Sequence, residues 1–284
     1  MSRPAGTVAG SEALREELRK LLAFLRRDVL VAWSYRLPFV TDWIAMILQA
    51  FVFGFVGKLI QPSSLPRFGG EAVDYLEFVA VGIAISSFLA VGLSRLMTVI
   101  RQEQVQGTLE ALLLTPTAWS TIEVGSAFYD ILYVPVRTAV FLSLTAVLFD
   151  ANYHLDGVGP AALVLLVFIP FVWGLGVISA ASTLTFRRGA GGVGFLVSIA
   201  TLGSGAYFPL TVLPSWVQQL AAYNPIAIAV TSMREALLGG SDWVDVWPSV
   251  ARLIPMSVLA MILGAIAFRA AIARERRRGT LGLY

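Results

Sequence analysis

Asp130 and Arg137 are the residues of this sequence whose types and spacing most directly suggest chemistry. They stand seven positions apart, about two helical turns, so both lie on one helix face. Tyr133 and Pro135 fall between them, inside the apolar run Val124–Phe149. A charge within a membrane-crossing segment is costly and is by default a functional-site hypothesis, here a proton or sodium relay. The structural alternatives are an ion pair, or Arg137 held by carbonyls of a neighbouring helix. Asp130 also lies only about two turns inside the run, where wet headgroups could reach it. This pair supports one functional reading, a stand-alone ion-coupled carrier or channel.

Other chemistry fails on inventory. The sequence has one histidine, His154, and no cysteine, so the usual zinc sets and thiol nucleophiles are missing. No His-Glu-x-x-His or Gly-x-Ser-x-Gly motif occurs. Lys58 follows Gly57 but precedes Leu59, and Lys20 has no glycines near it, so neither lysine belongs to a phosphate-binding loop. No cofactor, metal or nucleic-acid partner is expected. Uphill transport by this chain would draw its energy from an ion gradient or from a partner.

The elements that would position these residues are set by composition. The chain is 57% hydrophobic and 14% charged, with a mean hydropathy of +0.77. Soluble domains carry roughly 25% charged residues, so lipid must be the solvent for much of this chain. The expected class is an all-α polytopic membrane protein with six transmembrane helices. Residues 1–10 read as a disordered tail. Over 11–35, Leu14, Leu18, Leu21, Leu22, Leu25 and Val29 form one face and five basic residues the other, the pattern of a helix lying flat at the interface. The six-span domain is placed at 36–270 and a basic tail at 271–284.

Spans are expected at Phe39–Ile60, about Phe78–Met97, a third starting at a Ser120-Thr121-Ile122-Glu123 capping box and ending near Phe149, and a fourth between Asp156 and Arg187 kinked at Pro170. Asp42 and Lys58 could snorkel from the ends of the first. Gly189–Met233 is 45 residues without a charge, too long for one helix. The arginines decide how it is divided. Arg95, Arg101, Arg187, Arg188 and the C-terminal cluster should all be cytoplasmic, and a seventh crossing would put that cluster outside. One span at about Gly191–Tyr207 is therefore expected, then a re-entrant segment over 208–240 broken by Pro209, Pro214, Asn224 and Pro225. Arg234–Asp245 is read as outer and polar, and Trp247–Phe268 as the sixth span. Both termini would be cytoplasmic.

Between the second and third spans lies Arg101–Pro116, amphipathic and too polar to cross a bilayer. Val105, Leu109, Leu112 and Leu113 share one face, and Gln102, Gln106 and Glu110 another. Gly107 weakens this helix by about 1 kcal/mol relative to alanine, as close backbone approach by a neighbour would require.

Glu103, Gly107-Thr108-Leu109-Glu110, Leu112-Leu113 and Thr115-Pro116 resemble the cytoplasmic segment of ABC-2 type permeases, the membrane subunits of exporters of drugs, lipids and lipid-linked polysaccharides. Tyr207-Phe208-Pro209, Pro214-x-Trp216 and Asn224-Pro225 extend the resemblance, which runs from about residue 15 to 270. It implies the six-span type V exporter architecture and makes 101–116 a coupling helix. Glu103, Gln106, Gly107, Thr108, Glu110, Thr115 and Pro116 would contact an ATP-binding subunit, present in two copies, which carries the ATP and magnesium. It further implies a homodimer in a bacterial or archaeal plasma membrane, moving an amphipathic or lipid-linked substrate. Trp43, Phe51, Phe53 and Phe88 become candidates for the translocation path, and Tyr207, Phe208 and Trp216 for its outer gate. Aromatics at such positions also serve as lipid anchors. A third reading is a membrane scaffold that transports nothing.

Overall fold

The structure is a computed structural model describing residues 36–60, 65–105, 119–186 and 190–278, with single helical positions at Arg19, Leu22, Leu25, Arg26, Val29 and Leu30. Side chains are described in these ranges except at 36, 38–39, 99–100, 102–105, 119–132, 190–191 and 276. The expected interfacial helix and most of 101–116 thus lie outside the described residues.

All described regular structure is helical apart from one isolated pairing of Phe68 with Glu71. The helices are α1 (Arg36–Gly57), α2 (Tyr75–Val105), α3 (Trp119–Phe149), α4 (Val158–Phe186), α5 (Ala190–Leu202), α6 (Ser215–Ala221), α7 (Pro225–Gly239) and α8 (Trp243–Arg278). Among the described residues, α1, α2, α4 and α8 each hold a stretch long and apolar enough to cross a membrane. The described apolar part of α3, Tyr133–Phe149, is shorter. The helix is described from Trp119, one residue ahead of the expected Ser120 cap.

Sequence spacing explains the core. Val81, Ile85 and Leu89 of α2 and Val164, Phe168 and Val172 of α4 repeat every four residues and so form stripes. They close on Ile226, Val230 and Met233 of α7 and Val246, Val250 and Leu253 of α8. A second cluster, at the opposite end of the same helices, joins Leu96, Val177, Ala180, Leu184 and Phe268. A third seats Met46 and Ala50 of α1 against Val79, Ile83 and Phe141. The outward faces remain apolar: Val40, Ile44, Leu48, Val52 and Phe55 of α1 are exposed, as are Val258, Ile262 and Ile266 of α8. A contiguous apolar face of this size requires lipid or another subunit to cover it.

The most extensive helix pair, α4 with α8, meets through small residues. A Cβ on Gly174 would overlap the Ala260 backbone, so the two helices approach as closely as glycine allows. Pro170 does not interrupt α4. Proline removes an N–H and frees carbonyls in the preceding turn. The buried Ser257 hydroxyl of α8 donates to one carbonyl of that turn, Val167 O, at 2.8 Å.

The largest departure from expectation is α5. It ends at Leu202, five residues before the expected end of the fifth span, and is 13 residues long. At 1.5 Å per residue it reaches about 20 Å, short of the ~30 Å hydrocarbon core. Gly203, Ser204 and Gly205 end it, the last at φ +76°, a conformation open to glycine and strained for side-chain-bearing residues. The chain then turns through Phe208–Val212, α6 and α7 before α8 begins.

Candidate functional site

Two polar constellations are built into this apolar frame. In the first, Arg137 of α3 reaches back to Asp42 of α1. Its Nε donates to Oδ2 at 2.9 Å and its Nη2 to Oδ1 at 3.1 Å, a two-pronged guanidinium–carboxylate pair. The Tyr133 hydroxyl, one turn away on the same face, donates to the same Oδ2 at 3.1 Å. Arg137 thus meets a carboxylate on another helix, 95 residues away in sequence. Asp42 does not simply snorkel; it clasps α1 to α3. The backbone of Asp130 is helical, and its side chain lies outside the described set. In a double-mutant cycle, Asp42→Asn and Arg137→Gln should each destabilise the protein in detergent. The double variant should lose about 1–2 kcal/mol less than the sum of the two. Additive losses would show that the pair contributes no coupling.

The second constellation centres on Arg234, the first charge after the long uncharged run. It is not part of a polar outer loop as expected: it lies in the last turns of α7 and is only 3% exposed. Its Nε donates to Phe78 O at 2.9 Å, Nη1 to Gly205 O at 2.8 Å and Nη2 to Ala206 O at 2.7 Å. The guanidinium carbon lies 3.4 Å from the centroid of the Phe78 ring. The physical need is plain. Where α5 ends, the carbonyls of Gly205 and Ala206 lose helical partners, and unsatisfied backbone in a low-dielectric setting costs several kcal/mol per group. A planar fork of five donors meets several carbonyls at once, which a lysine cannot do.

Neighbouring contacts complete the arrangement. The Tyr75 hydroxyl donates to Tyr207 O at 3.1 Å. Asn224 caps α7 by accepting from Ile226 N at 3.0 Å, and its Nδ2 donates to Ala200 O at 2.7 Å, tying α7 to α5. Pro225 occupies the first turn, where its missing N–H costs nothing. Glu77, one residue ahead of the expected second span, is buried. Its carboxylate accepts from Asp74 N at 2.9 Å, capping α2, and from Asn152 N at 2.6 Å. Burial pushes the Tyr153 phenol well above its usual range, opposed by its bond to Thr145 and reinforced by the charge of Glu77.

Beside Arg234 opens a cleft of about 530 Å³ between the 66–69 turn, the segment after α5, α7 and the start of α8. Arg67, Arg234, Glu235 and Asp245 bring charge to it, and Ser204 and Thr211 bring hydroxyls. Partial burial raises the Glu235 carboxyl above its ordinary range, with Arg252 drawing it down and Asp245 pushing it further up. This cleft lies at the end of the bundle where α2 and α8 begin, opposite Arg101, Arg269, Arg274 and Arg277.

A transporter-family model for ABC-2 type transporters matches residues 19–238 of this sequence, spanning both constellations. The chain belongs to the ABC-2 type transporter family. It is 25% identical over 202 residues to the probable multidrug ABC transporter permease YbhR of Escherichia coli K12, an alignment covering 69% of this chain and 52% of that protein. It is 26% identical over 155 residues to the linearmycin resistance permease protein LnrN of Bacillus subtilis 168, covering 53% and 39% respectively. The chain thus aligns with about half the length of the first of these relatives and less of the second.

For this ABC-2 chain the coupling positions stand as follows. Glu103 is on the described backbone of α2, while Gln106, Gly107, Thr108, Glu110, Thr115 and Pro116 lie outside the described residues. The path candidates do not converge within this chain. Phe88 is buried at 6% exposure, and Trp43 and Phe53 pack on the α1–α2–α3 cluster. Phe51 faces outward, its ring 5.5 Å from that of Phe149. Tyr207 and Phe208 are half-buried at the turn after α5, whereas Trp216 is 63% exposed on α6. Sequence reasoning missed Arg234 and Glu77 as buried polar anchors. The signal for Arg234 was its place at the end of a run without charge, which was read as a boundary.

Proposed function

We propose that this chain is the transmembrane permease subunit of an ATP-driven exporter. It moves an amphipathic substrate, either a drug, a lipid or a lipid-linked glycan, out of the cytoplasm or inner leaflet. The observation that carries the reading is the family match over most of a polytopic chain that has no phosphate-binding loop of its own. Energy then arrives from a separate ATP-binding subunit through 101–116. The printed descriptions of the two relatives, multidrug and linearmycin resistance permeases, favour an amphipathic drug-like substrate within that class.

In this reading the chain crosses the plasma membrane six times with both ends inside. The α3 helix, at 31 residues, is about 46 Å long and ample for a crossing. The fifth passage is made by α5 together with the segment that follows it, with α6 and α7 dipping in from the outer face. Two copies form the working unit with two ATP-binding subunits, and the exposed apolar rows of α1 face lipid or the second copy. ATP-driven closure of the partners moves α2 and α3 through the helix between them, and the path lies between protomers near α1, α2 and α5.

Glu110→Arg in the assembled complex should reduce transport-coupled ATP hydrolysis by roughly an order of magnitude, because a reversed charge at a docking surface opposes association. Membrane insertion and thermal stability of the chain should not change. Full coupling in this variant would remove 101–116 from the docking role.

A further inference from the structure

The cleft beside Arg234 has a charge pattern that a structural role alone does not account for. Arg234 has five N–H donors and uses three of them on carbonyls, and no carboxylate pairs with it among the described residues. A cation this deeply buried ordinarily has a counter-anion. Arg67, on the turn forming the opposite lip, has no ion-pair partner within 4.0 Å among the described residues. Neither has Glu235, one residue along from Arg234 and directed to the same cleft. Asp245 is partly committed, accepting from Asp242 N at 3.1 Å. Unpaired charges of both signs therefore line one cavity and do not close on each other. The space between them, about 530 Å³, is the size of a small-ligand site.

We propose that this cleft binds a zwitterionic head group, a phosphate joined to an ammonium. The phosphate oxygens meet the spare N–H donors of Arg234 and the guanidinium of Arg67, with the hydroxyl of Thr211 beside them. The ammonium meets Glu235 and Asp245. Guanidinium groups match phosphate oxygens in a planar two-point contact, and carboxylates supply the acceptors an ammonium needs. That the site lies in the outer leaflet follows from the orientation proposed above. The binding chemistry does not depend on it.

Native mass spectrometry of the purified full chain in detergent tests this without ATP or a partner, so the outcome is independent of the exporter reading. The chain is titrated with phosphatidylethanolamine, phosphatidylglycerol and free phosphoethanolamine. Phosphatidylethanolamine should be retained at least ~10-fold more strongly than phosphatidylglycerol. Arg67→Gln and Glu235→Gln should each weaken that retention about tenfold, the loss of one charge-assisted hydrogen bond. Both positions are exposed, so both variants should fold as the parent does. If free phosphoethanolamine competes with the lipid, the head group alone is the ligand and a soluble source suffices. If only the lipid binds, the source is the bilayer. Equal retention of the two lipids, or a Glu235→Gln variant that binds as the parent does, would overturn the proposal.

Discussion

Arg234→Met should lower the unfolding temperature of the purified protein by roughly 10 °C, read from its tryptophan fluorescence. The substitution keeps bulk and removes three donors at once. Phe78 O, Gly205 O and Ala206 O lose the contacts they have at 2.7–2.9 Å. Phe78 O has its helix to fall back on, but Gly205 O and Ala206 O lie past the end of α5. Leaving a buried polar group unmet costs about 1–3 kcal/mol, so a total on the order of 4 kcal/mol is expected. Arg234→Lys should recover less than half of the loss. Its ammonium preserves the charge but cannot span three carbonyls on two segments. A lysine variant as stable as the parent would show that charge, not the planar fork, is what the fold requires.

The second large effect is expected at Gly82. A Cβ there would overlap the Ala206 carbonyl oxygen, whose neighbours are backbone atoms with no flexible side chain to give way. The α2 helix and the turn after α5 touch main chain to main chain at this point, which only glycine permits. Gly82→Val should therefore cost about 3 kcal/mol or more and part the turn from α2, exposing Arg234. Limited proteolysis between residues 203 and 214 would report that parting as new cleavage. Gly192→Ala is the internal comparison, because nothing lies within 4 Å of a Cβ at that helical position. It should change stability by less than about 1 kcal/mol, in the favourable direction. A Gly82→Val variant as stable as the parent would show that the backbone contact with Ala206 does not set the cost.

Both effects fall on the region the sequence describes least sharply. Long apolar runs at helical spacing marked α1, α2, α4 and α8, because burial in lipid leaves a continuous compositional trace. Proline and asparagine at 209, 214, 224 and 225 marked the breaks after α5, since each disfavours continued helix in its own way. The point where α5 stops was not visible. Residues 191–207 carry no charge, and the break is set by Gly203–Gly205 together with an arginine some 30 positions later that satisfies the freed carbonyls. Arg234 itself looked like a boundary because a single charge after an uncharged run reads as the water's edge. Its burial depends on Phe78, 156 positions away, which no local pattern reports.

The Asp42–Arg137 pair teaches the same lesson from the other side. Arg137 was singled out as an intramembrane charge seven positions from Asp130. Spacing along α3 pointed only to Asp130, and among the described side chains the packing of α1 on α3 brings Asp42 to Arg137. Helical periodicity places residues on a face but does not say which helix that face meets. With a two-pronged partner on α1, Arg137 joins two helices, and the side chain of Asp130 lies outside the described set. Energy from a partner is then the reading that the family match and the absent phosphate loop both support.

That claim is tested most directly in proteoliposomes holding this chain with and without an ATP-binding subunit of the ABC type. Efflux of a fluorescent amphipathic drug is followed with ATP and magnesium supplied on the cytoplasmic face. Efflux that needs both proteins and ATP, and that Glu110→Arg in this chain lowers by roughly an order of magnitude while the complex still inserts, is the predicted result. Efflux by this chain alone, driven by an imposed proton or sodium gradient and indifferent to ATP, would contradict the account.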